Sequence, residues 1–403
     1  MLTVEEAQDR ILSSVSPLGV ESCPLLRCRG RALALDVISQ VQSPPFANSA
    51  MDGYAVLSAD LAGASESEPA GLRVLGDVPA GSVGAWTVVS GTAVRIMTGA
   101  PVPAGADSVV MVEDTRSEGD LVCVWAPTQP GENVRPAGED IDVGDRVLDA
   151  GTELGPAQIA VAATLGLREL AAVARPRVAL LTTGDEVVEP GMPLAPGKIR
   201  NSNRYALAAA LEGVGELAML EHLADSPEAL RDGLARAAEA CDVVITVGGV
   251  SVGDYDFVKG ELQAAGELGF WRIAVKPGKP LAFGRLGGKP FFGLPGNPVS
   301  ALVTFELFVR PALRKMAGHR TWHRPRVQAI SETTLSHRPG REEYLRAALR
   351  WDRNRRAYLA QPLSGQGSAM VGSMAQSNGY LIVPRDVESV QAGEVLDALL
   401  VGP

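Results

Sequence analysis

The spacing of apolar residues changes character along this chain, and each texture predicts its own elements. Thr3-Val-Glu-Glu6 carries the signature of a capping box, and Val4, Ala7, Ile11 and Val15 follow at helical spacing, which predicts an amphipathic helix over residues 3–16. From about residue 24 to 173 short alternating segments are broken by Pro and Gly, as at Ser43-Pro-Pro45, Thr98-Gly-Ala-Pro101 and between Gly131 and Gly138. That texture predicts a mostly β region, with a helix at 156–165. Beyond Arg175-Pro176 strands and helices alternate. Val178-Ala-Leu-Leu181 and Val243 to Val247 are short β-branched or aliphatic runs that read as buried parallel strands, and helical stretches open near Asn203 and Pro227. Phe291-Phe292 precede Leu294-Pro-Gly-Asn-Pro298, and a helix is expected from Pro298 to about Lys315. This is a doubly wound α/β unit. After about residue 324 alternation returns at Arg326 to Ile330, Tyr344 to Ala347, Tyr358 to Ala360 and Tyr380 to Val383, predicting a small antiparallel β domain or barrel. The fold class expected is multidomain, α/β plus β.

Composition narrows the function classes. The chain has 403 residues, 46% hydrophobic and 21% charged, enough for several well-packed units. A formal net charge of −10 disfavours nonspecific nucleic-acid binding. Four cysteines in so long a chain, with no Cys-x-x-Cys pair, predict no disulfide framework and a reducing, cytoplasmic setting. No apolar run approaches the ~20 residues of a membrane helix, and no signal peptide is recognisable.

The richest candidate chemistry lies where the strand at 243–247 meets a glycine turn. Gly248 and Gly249 let backbone amides approach an anion, while Asp254 and Asp256 follow within reach, a pattern suited to a phosphoester and its Mg²⁺. Two other readings compete. Gly-Gly at a strand end also forms simple tight turns, and Gly249-Val-Ser251-Val-Gly253 fits the Gly-x-Ser-x-Gly elbow of serine hydrolases. A hydrolase would need a downstream acid and histidine, and His319, His323 and His337 stand in no recognisable loop context.

Thr183-Gly184-Asp185-Glu186 follows the first strand of the α/β region. Its acids can accept hydrogen bonds from a ring N–H of a heterocycle, although Gly-Asp is also a common turn. In doubly wound sheets ligands bind at the carboxyl ends of strands, so both motifs should face one pocket. Lys276-Pro-Gly-Lys279-Pro280 makes a compact cationic corner fit for a tetrahedral oxyanion, or a solvated surface loop. Leu294-Pro295-Gly-Asn-Pro298-Val-Ser300 could add amides and the Ser300 hydroxyl, or simply start a helix. Segments 191–198 and 284–289 lack P-loop spacing. His319 and His323 have Arg320 where a zinc-protease motif needs Glu, and they read as an exposed helix end.

Taken in order, these motifs, together with Pro44-Pro-Phe-Ala-Asn-Ser-Ala-Met-Asp-Gly-Tyr-Ala-Val56, Arg95-Ile-Met-Thr-Gly-Ala-Pro101 and Gly131-Glu-Asn-Val-Arg-Pro-Ala-Gly-Glu-Asp140, resemble the molybdopterin molybdenumtransferase family, which includes bacterial MoeA and the gephyrin E-domain. The resemblance covers nearly the whole chain. It implies Mg²⁺-dependent insertion of molybdate into adenylylated molybdopterin, with release of AMP and formation of molybdenum cofactor. It implies that Asp256, with Asp225 as a second candidate, holds the metal, that Gly248, Gly249, Ser251 and Asp254 serve the phosphate, and that Thr183, Gly184, Asp185 and Glu186 face the pterin. Lys276, Lys279 and Ser300 then form the molybdate corner with Arg346 and Ser368 from the last domain, and Pro280, Pro295 and Pro298 are implied as further substrate-binding positions. Asp52, Thr98 and Asp140 are assigned to the cleft as well. Ala47 departs from the family, which usually has Asp there. The implied domains are a helix at 1–23 packing on the α/β domain, a β-rich linking domain at 24–40 and 143–173, an inserted mostly-β domain at 41–142, the α/β molybdopterin-binding domain at 174–323, and a C-terminal β-barrel at 324–403. An elongated homodimer is implied too, with the α/β domain of one chain meeting the C-terminal domain of the other, and an adenylyltransferase as a possible partner protein. The alternative functions are a gephyrin-like scaffold and a serine hydrolase using Ser251.

Overall fold

The computed structural model describes residues 1–248 and 268–402. Its central layer is a sheet of six strands in the order Glu216–Leu223, Arg177–Thr183, Val243–Val247, Lys289–Leu294, Pro280–Leu286, Leu268–Arg272. The first four run parallel and the last two add antiparallel at one edge. Side-chain alternation decides which helix each face receives. Val178, Leu180, Val243, Ile245 and Phe292 share one core with helix Ser202–Leu211 and the helical run that begins at Pro298. Ala179, Leu181, Val244 and Phe291 point the other way, onto Leu230, Leu234 and Ala237 of helix Pro227–Ala240. Helices on both faces of a mainly parallel sheet make this the doubly wound unit expected from the sequence.

The N-terminal helix Val4–Ser14 has its capping box, with the Thr3 hydroxyl accepting from the Glu6 amide and the Glu6 carboxylate from the Thr3 amide. Val4, Ala7 and Ile11 bury against the same core. The helix expected from Pro298 to Lys315 is present but not uniform. Pro298–Thr304 and Arg310–Met316 are α-helical, and Phe305–Val309 between them is π-helical. Pro311 has no N–H to give the Leu307 carbonyl four residues back, and Gln8 Nε2 donates to that carbonyl at 2.9 Å.

The β region before residue 174 holds a six-stranded sheet, in the order Ser108–Met111, Gly53–Val56, Thr92–Ile96, Ala70–Val78, Leu121–Val124, Thr115–Glu118. Separate two-stranded pairings join Val20–Pro24 to Glu169–Val173 and Val37–Ile38 to Arg146–Leu148. The helix at Pro156–Thr164 lies where expected.

The C-terminal strands close on themselves. Glu342–Asp352 pairs with Ala357–Pro362, which pairs with Arg326–Ser331, then Val395–Leu400, then Gly379–Val383, and this last strand returns to Glu342–Asp352. The result is a closed five-stranded barrel, antiparallel except where Arg326–Ser331 runs parallel to Ala357–Pro362. Closure leaves the barrel without free edges. A sixth, short strand, Val275–Lys276, comes from the α/β side and pairs parallel with Glu342 and Glu343 of the barrel wall. Among the described residues no helix is long and apolar enough to cross a membrane.

The histidine pair read as an exposed helix end is corrected at one position. The helix stops at Met316, and His319 beyond it is buried, its Nδ1 3.4 Å from Glu153 of the preceding β region. His323 is exposed.

Candidate functional site

Two cavities meet where the parallel strands end. The first, of about 320 Å³, is lined by Thr182, Thr183, Glu186, Gly248, Asn201, Asn297 and Pro298 among others. Strand Arg177–Thr183 delivers Thr183 to its wall, and strand Val243–Val247 delivers Gly248. Gly248 has φ 93°, and a Cβ there would lie 2.9 Å from the Thr183 hydroxyl and 3.1 Å from the Thr183 carbonyl oxygen. The two strand tips therefore approach as closely as a glycine permits. Its amide donates to the Leu294 carbonyl at 3.2 Å, closing the floor toward Gly296.

Around this floor the sequence reading had missed a set of amides. Asn201 caps helix Ser202–Leu211, accepting from the Arg204 amide, and gives its Nδ2 to the Thr182 hydroxyl at 3.0 Å. Asn203 Nδ2 donates to the Gly296 carbonyl at 2.7 Å, tying that helix to the turn before Pro298. Glu189 receives Tyr205, Arg204 and Asn201, and the Tyr205 hydroxyl and Arg204 charge hold its carboxyl below the usual range. An asparagine just ahead of an Ala-rich helix was the available signal for Asn201. Asn203 was legible as the start of that helix, but nothing in the local sequence marked its bond to Gly296.

At the rim, Asp185 and Asp225 meet across neighbouring strand ends. The Asp185 amide donates to Asp225 Oδ2 at 3.1 Å and the Asp225 amide to Asp185 Oδ1 at 3.2 Å. Both carboxylates are exposed, and Lys198 Nζ donates to the Asp185 carbonyl at 2.6 Å. Gly184 turns the chain there at φ 126°, with Glu186 folded beneath it. Gly249, Ser251, Asp254 and Asp256 lie outside the described residues. Among the described residues no group of three or more His, Cys, Asp or Glu comes together as a metal site. Paired carboxylate oxygens at a strand tip are the hard donors Mg²⁺ accepts alongside phosphate and water, so Asp225 and Asp185 fit as part of such a site.

The second cavity, of about 350 Å³, is lined by Lys276, Gly278, Lys279, Pro280, Asn297, Ser300, Arg341, Glu343, Gln366 and Ser368 among others. Asn297 belongs to both cavities. The lysine turn is seated from below. The Ile273 amide donates to the Lys279 carbonyl at 3.1 Å, and Gly278, at φ 115°, comes so close to helix Pro298–Thr304 that a Cβ would stand 2.6 Å from the Thr304 methyl. Lys276 Nζ lies 2.7 Å from Glu343 Oε1 on the barrel wall. Ser300 is buried in the first turn of its helix. Pro280 opens its strand, and Pro295 is buried just past Leu294.

Ser368 reaches this cavity from a barrel loop of the same chain. Its carbonyl accepts from the Val299 amide at 3.1 Å, and its hydroxyl from Asn297 Nδ2 at 3.0 Å. One chain thus makes a junction between its own α/β unit and barrel. Arg346 lines neither cavity. It is 1% exposed, and its guanidinium donates to the carbonyls of Gly365 at 2.8 Å, Gly367 at 3.1 Å and Met370 at 3.4 Å. It holds the loop that carries Ser368 from behind.

Asp52 and Thr98 do meet, the Thr98 amide and hydroxyl both donating to Asp52 Oδ1 at 2.7 Å. Those bonds, the amide's foremost, lower the Asp52 carboxyl's proton affinity. Asp140 is exposed, with its amide on the Ser43 carbonyl. None of the residues that line the two cavities comes from 41–142.

Comparison with known proteins matches three family models along the chain: the MoeA N-terminal region (domain I and II) at residues 2–166, a probable molybdopterin binding domain at 179–315, and the MoeA C-terminal region (domain IV) at 328–401. The molybdopterin molybdenumtransferase of Haemophilus influenzae is 38% identical over 400 residues, covering 98% of each chain. The chain belongs to the molybdopterin molybdenumtransferase family. Another member, molybdopterin molybdenumtransferase 2 of Mycobacterium tuberculosis, is 39% identical over 403 residues, again covering 98% of each chain. The crystal structure of the molybdopterin biosynthesis MoeA protein from Pyrococcus horikoshii superposes with a TM-score of 0.85 at 32% identity, covering 99% of this chain and 100% of that one. The molybdenumtransferase match thus spans the α/β unit and the barrel together, the two parts that form the cavities.

Proposed function

We propose that this protein inserts molybdate into adenylylated molybdopterin in a Mg²⁺-dependent reaction that releases AMP. The observation that carries the reading is the pair of adjoining cavities that share Asn297, one at the tips of parallel strands and one beside two ammonium groups. The strand-tip cavity suits a pterin with its phosphates. Thr183 and the Gly248 turn stand at its floor, and the acids at 185, 186 and 225 stand at its rim; Asp256 follows Gly248 in sequence. Mg²⁺ held by Asp225 and Asp256 would neutralise charge at the pyrophosphate. Among the described residues, Lys276, Lys279 and Arg341 outnumber the acid Glu343 in the lining of the adjoining cavity. Ser300, Ser368 and Asn297 add neutral hydrogen-bonding groups around a tetrahedral dianion. Holding the two reactants in adjoining chambers converts a bimolecular insertion into one between neighbours.

Homodimerisation in the cytoplasm, with delivery by an adenylyltransferase, belongs to the same proposal. Asp52, Thr98 and Asp140 line neither cavity of their own chain, so their part in the reaction requires a second copy. The deciding measurement is AMP release from adenylylated molybdopterin at varied molybdate. Lys279→Ala should raise the molybdate concentration for half-maximal rate by about tenfold or more, the worth of a charge-assisted contact. An unchanged molybdate dependence would remove the cationic corner from the reaction.

A further inference from the structure

Glu343 is an anion in the wall of a cavity read as an anion site, and it has two partners. Its Oε1 lies 2.7 Å from Lys276 Nζ, and its Oε2 lies 3.6 Å from His337 Nε2. Glu343 is 6% and His337 8% exposed. On its far side, His337 Nδ1 is 2.7 Å from the Val387 carbonyl. A carbonyl only accepts, so Nδ1 carries a hydrogen in every protonation state. Neutral His337 therefore presents a bare lone pair at Nε2 toward a carboxylate oxygen, and Nε2 is a buried atom without a hydrogen-bond partner among the described residues. A proton between the two groups relieves that apposition. The charged groups around the pair are Arg341 and Lys279 in the cavity lining, Arg338 next in sequence, and Arg385, Asp386 and Glu388 on the packed segment, whose Glu388 carbonyl receives the His337 amide.

We infer that His337 and Glu343 are positioning residues that couple oxyanion entry to proton uptake, His337 supplying a counter-charge behind the wall when a tetrahedral dianion occupies the cavity. The inference rests on the molybdate reading of that cavity. With His337 neutral, Glu343 spends its charge on Lys276, and an entering dianion faces both a carboxylate and an occupied ammonium. With His337 protonated, Glu343 is neutralised from behind and Lys276 turns its charge to the cavity. Histidine is the side chain suited to such a change near neutral pH. By linkage, a ligand that favours the protonated form draws a proton in as it binds.

The test is calorimetric titration of the full-length protein with sodium molybdate between pH 6 and 8, in buffers of different ionisation enthalpy, which counts the protons exchanged. The parent should take up protons on binding, and its affinity should fall by about tenfold from pH 6 to pH 8, the effect of one nearby charge. His337→Gln should take up none and bind at pH 6 as weakly as the parent does at pH 8. Glu343→Gln should also take up none yet bind more tightly than the parent at pH 8, and the double variant should follow Glu343→Gln. Opposite signs from two neighbouring buried residues are not the result of loosened packing. The parent's own proton count decides the matter even if a variant fails to fold. Binding by the parent without proton uptake, or weaker binding by Glu343→Gln, overturns the inference and leaves the molybdate reading standing. Absence of any molybdate binding by the parent overturns both.

Discussion

Gly248 and Arg346 show how far single residues were legible. Gly248 stood in the sequence as a turn that brings amides to an anion, but its own amide is taken by the Leu294 carbonyl, and what the structure explains is why a glycine stands there. A methyl at φ 93° would press on the Thr183 backbone oxygen, which has no freedom to move aside. Gly248→Ala should cost about 1–2 kcal/mol in stability from the left-handed backbone alone, and should weaken binding of adenylylated molybdopterin, read by fluorescence titration, more than it lowers the melting temperature. The resemblance implied Arg346 at the molybdate corner, whereas the structure places it behind the loop that carries Ser368. Sequence places a guanidinium within a strand, while only the fold reveals that the neighbouring loop turns its carbonyls inward to meet it. Arg346→Met should leave those carbonyls unsatisfied and cost about 2–4 kcal/mol in denaturant unfolding, with weaker molybdate binding as loop 365–370 loosens.

Among the elements, those whose sequence period matched their burial were the readable ones. Strand Val243–Val247 is buried at every position, as a central parallel strand should be, and the Thr3 capping box marked its helix from the sequence alone. The helical run after Pro298 was only half legible. Its apolar residues predict one helix, but Pro311 interrupts the bonding and Phe305–Val309 widens into a π turn. The donor that meets the Leu307 carbonyl comes from Gln8, 299 positions away in sequence, and no local pattern encodes so distant a contact. Gln8→Leu should therefore destabilise the protein by about 1 kcal/mol, measured by urea unfolding, despite lying far from either cavity. The contacts of the asparagines around the strand-tip cavity escaped notice for the same reason, since Asn203, read only as a helix start, is joined to Gly296 by folding and not by spacing.

At the scale of the whole molecule, the junctions between units carry buried ionisable groups. Burial foremost, aided by the Arg314 charge, pushes His319 down to about 4, against the pull of Glu153. In the unfolded chain the imidazole titrates near 6.5. The folded form thus binds its proton less readily, so this contribution to stability is complete above about pH 6.5 and is lost as pH falls toward 4. The loss should approach 2–3 kcal/mol, and His319→Gln should flatten the pH dependence of the melting temperature in that window. On the far side, Arg324 grips the buried Glu306 through both oxygens at 2.8 and 3.1 Å, fixing the segment that leads into the barrel. The order of α/β unit and barrel could be read along the chain, but their junction could not, because it depends on a two-residue strand, Val275–Lys276, too short to show any period. That strand gives the barrel a structural share in the chemistry. Since its ladder to Glu342 and Glu343 forms one side of the lysine-lined cavity, a fragment ending before residue 324 would keep most of the strand-tip pocket, which takes Ala369 from beyond that point, but lose the wall of the second; on the proposed reading it would dock the pterin without carrying it on to product.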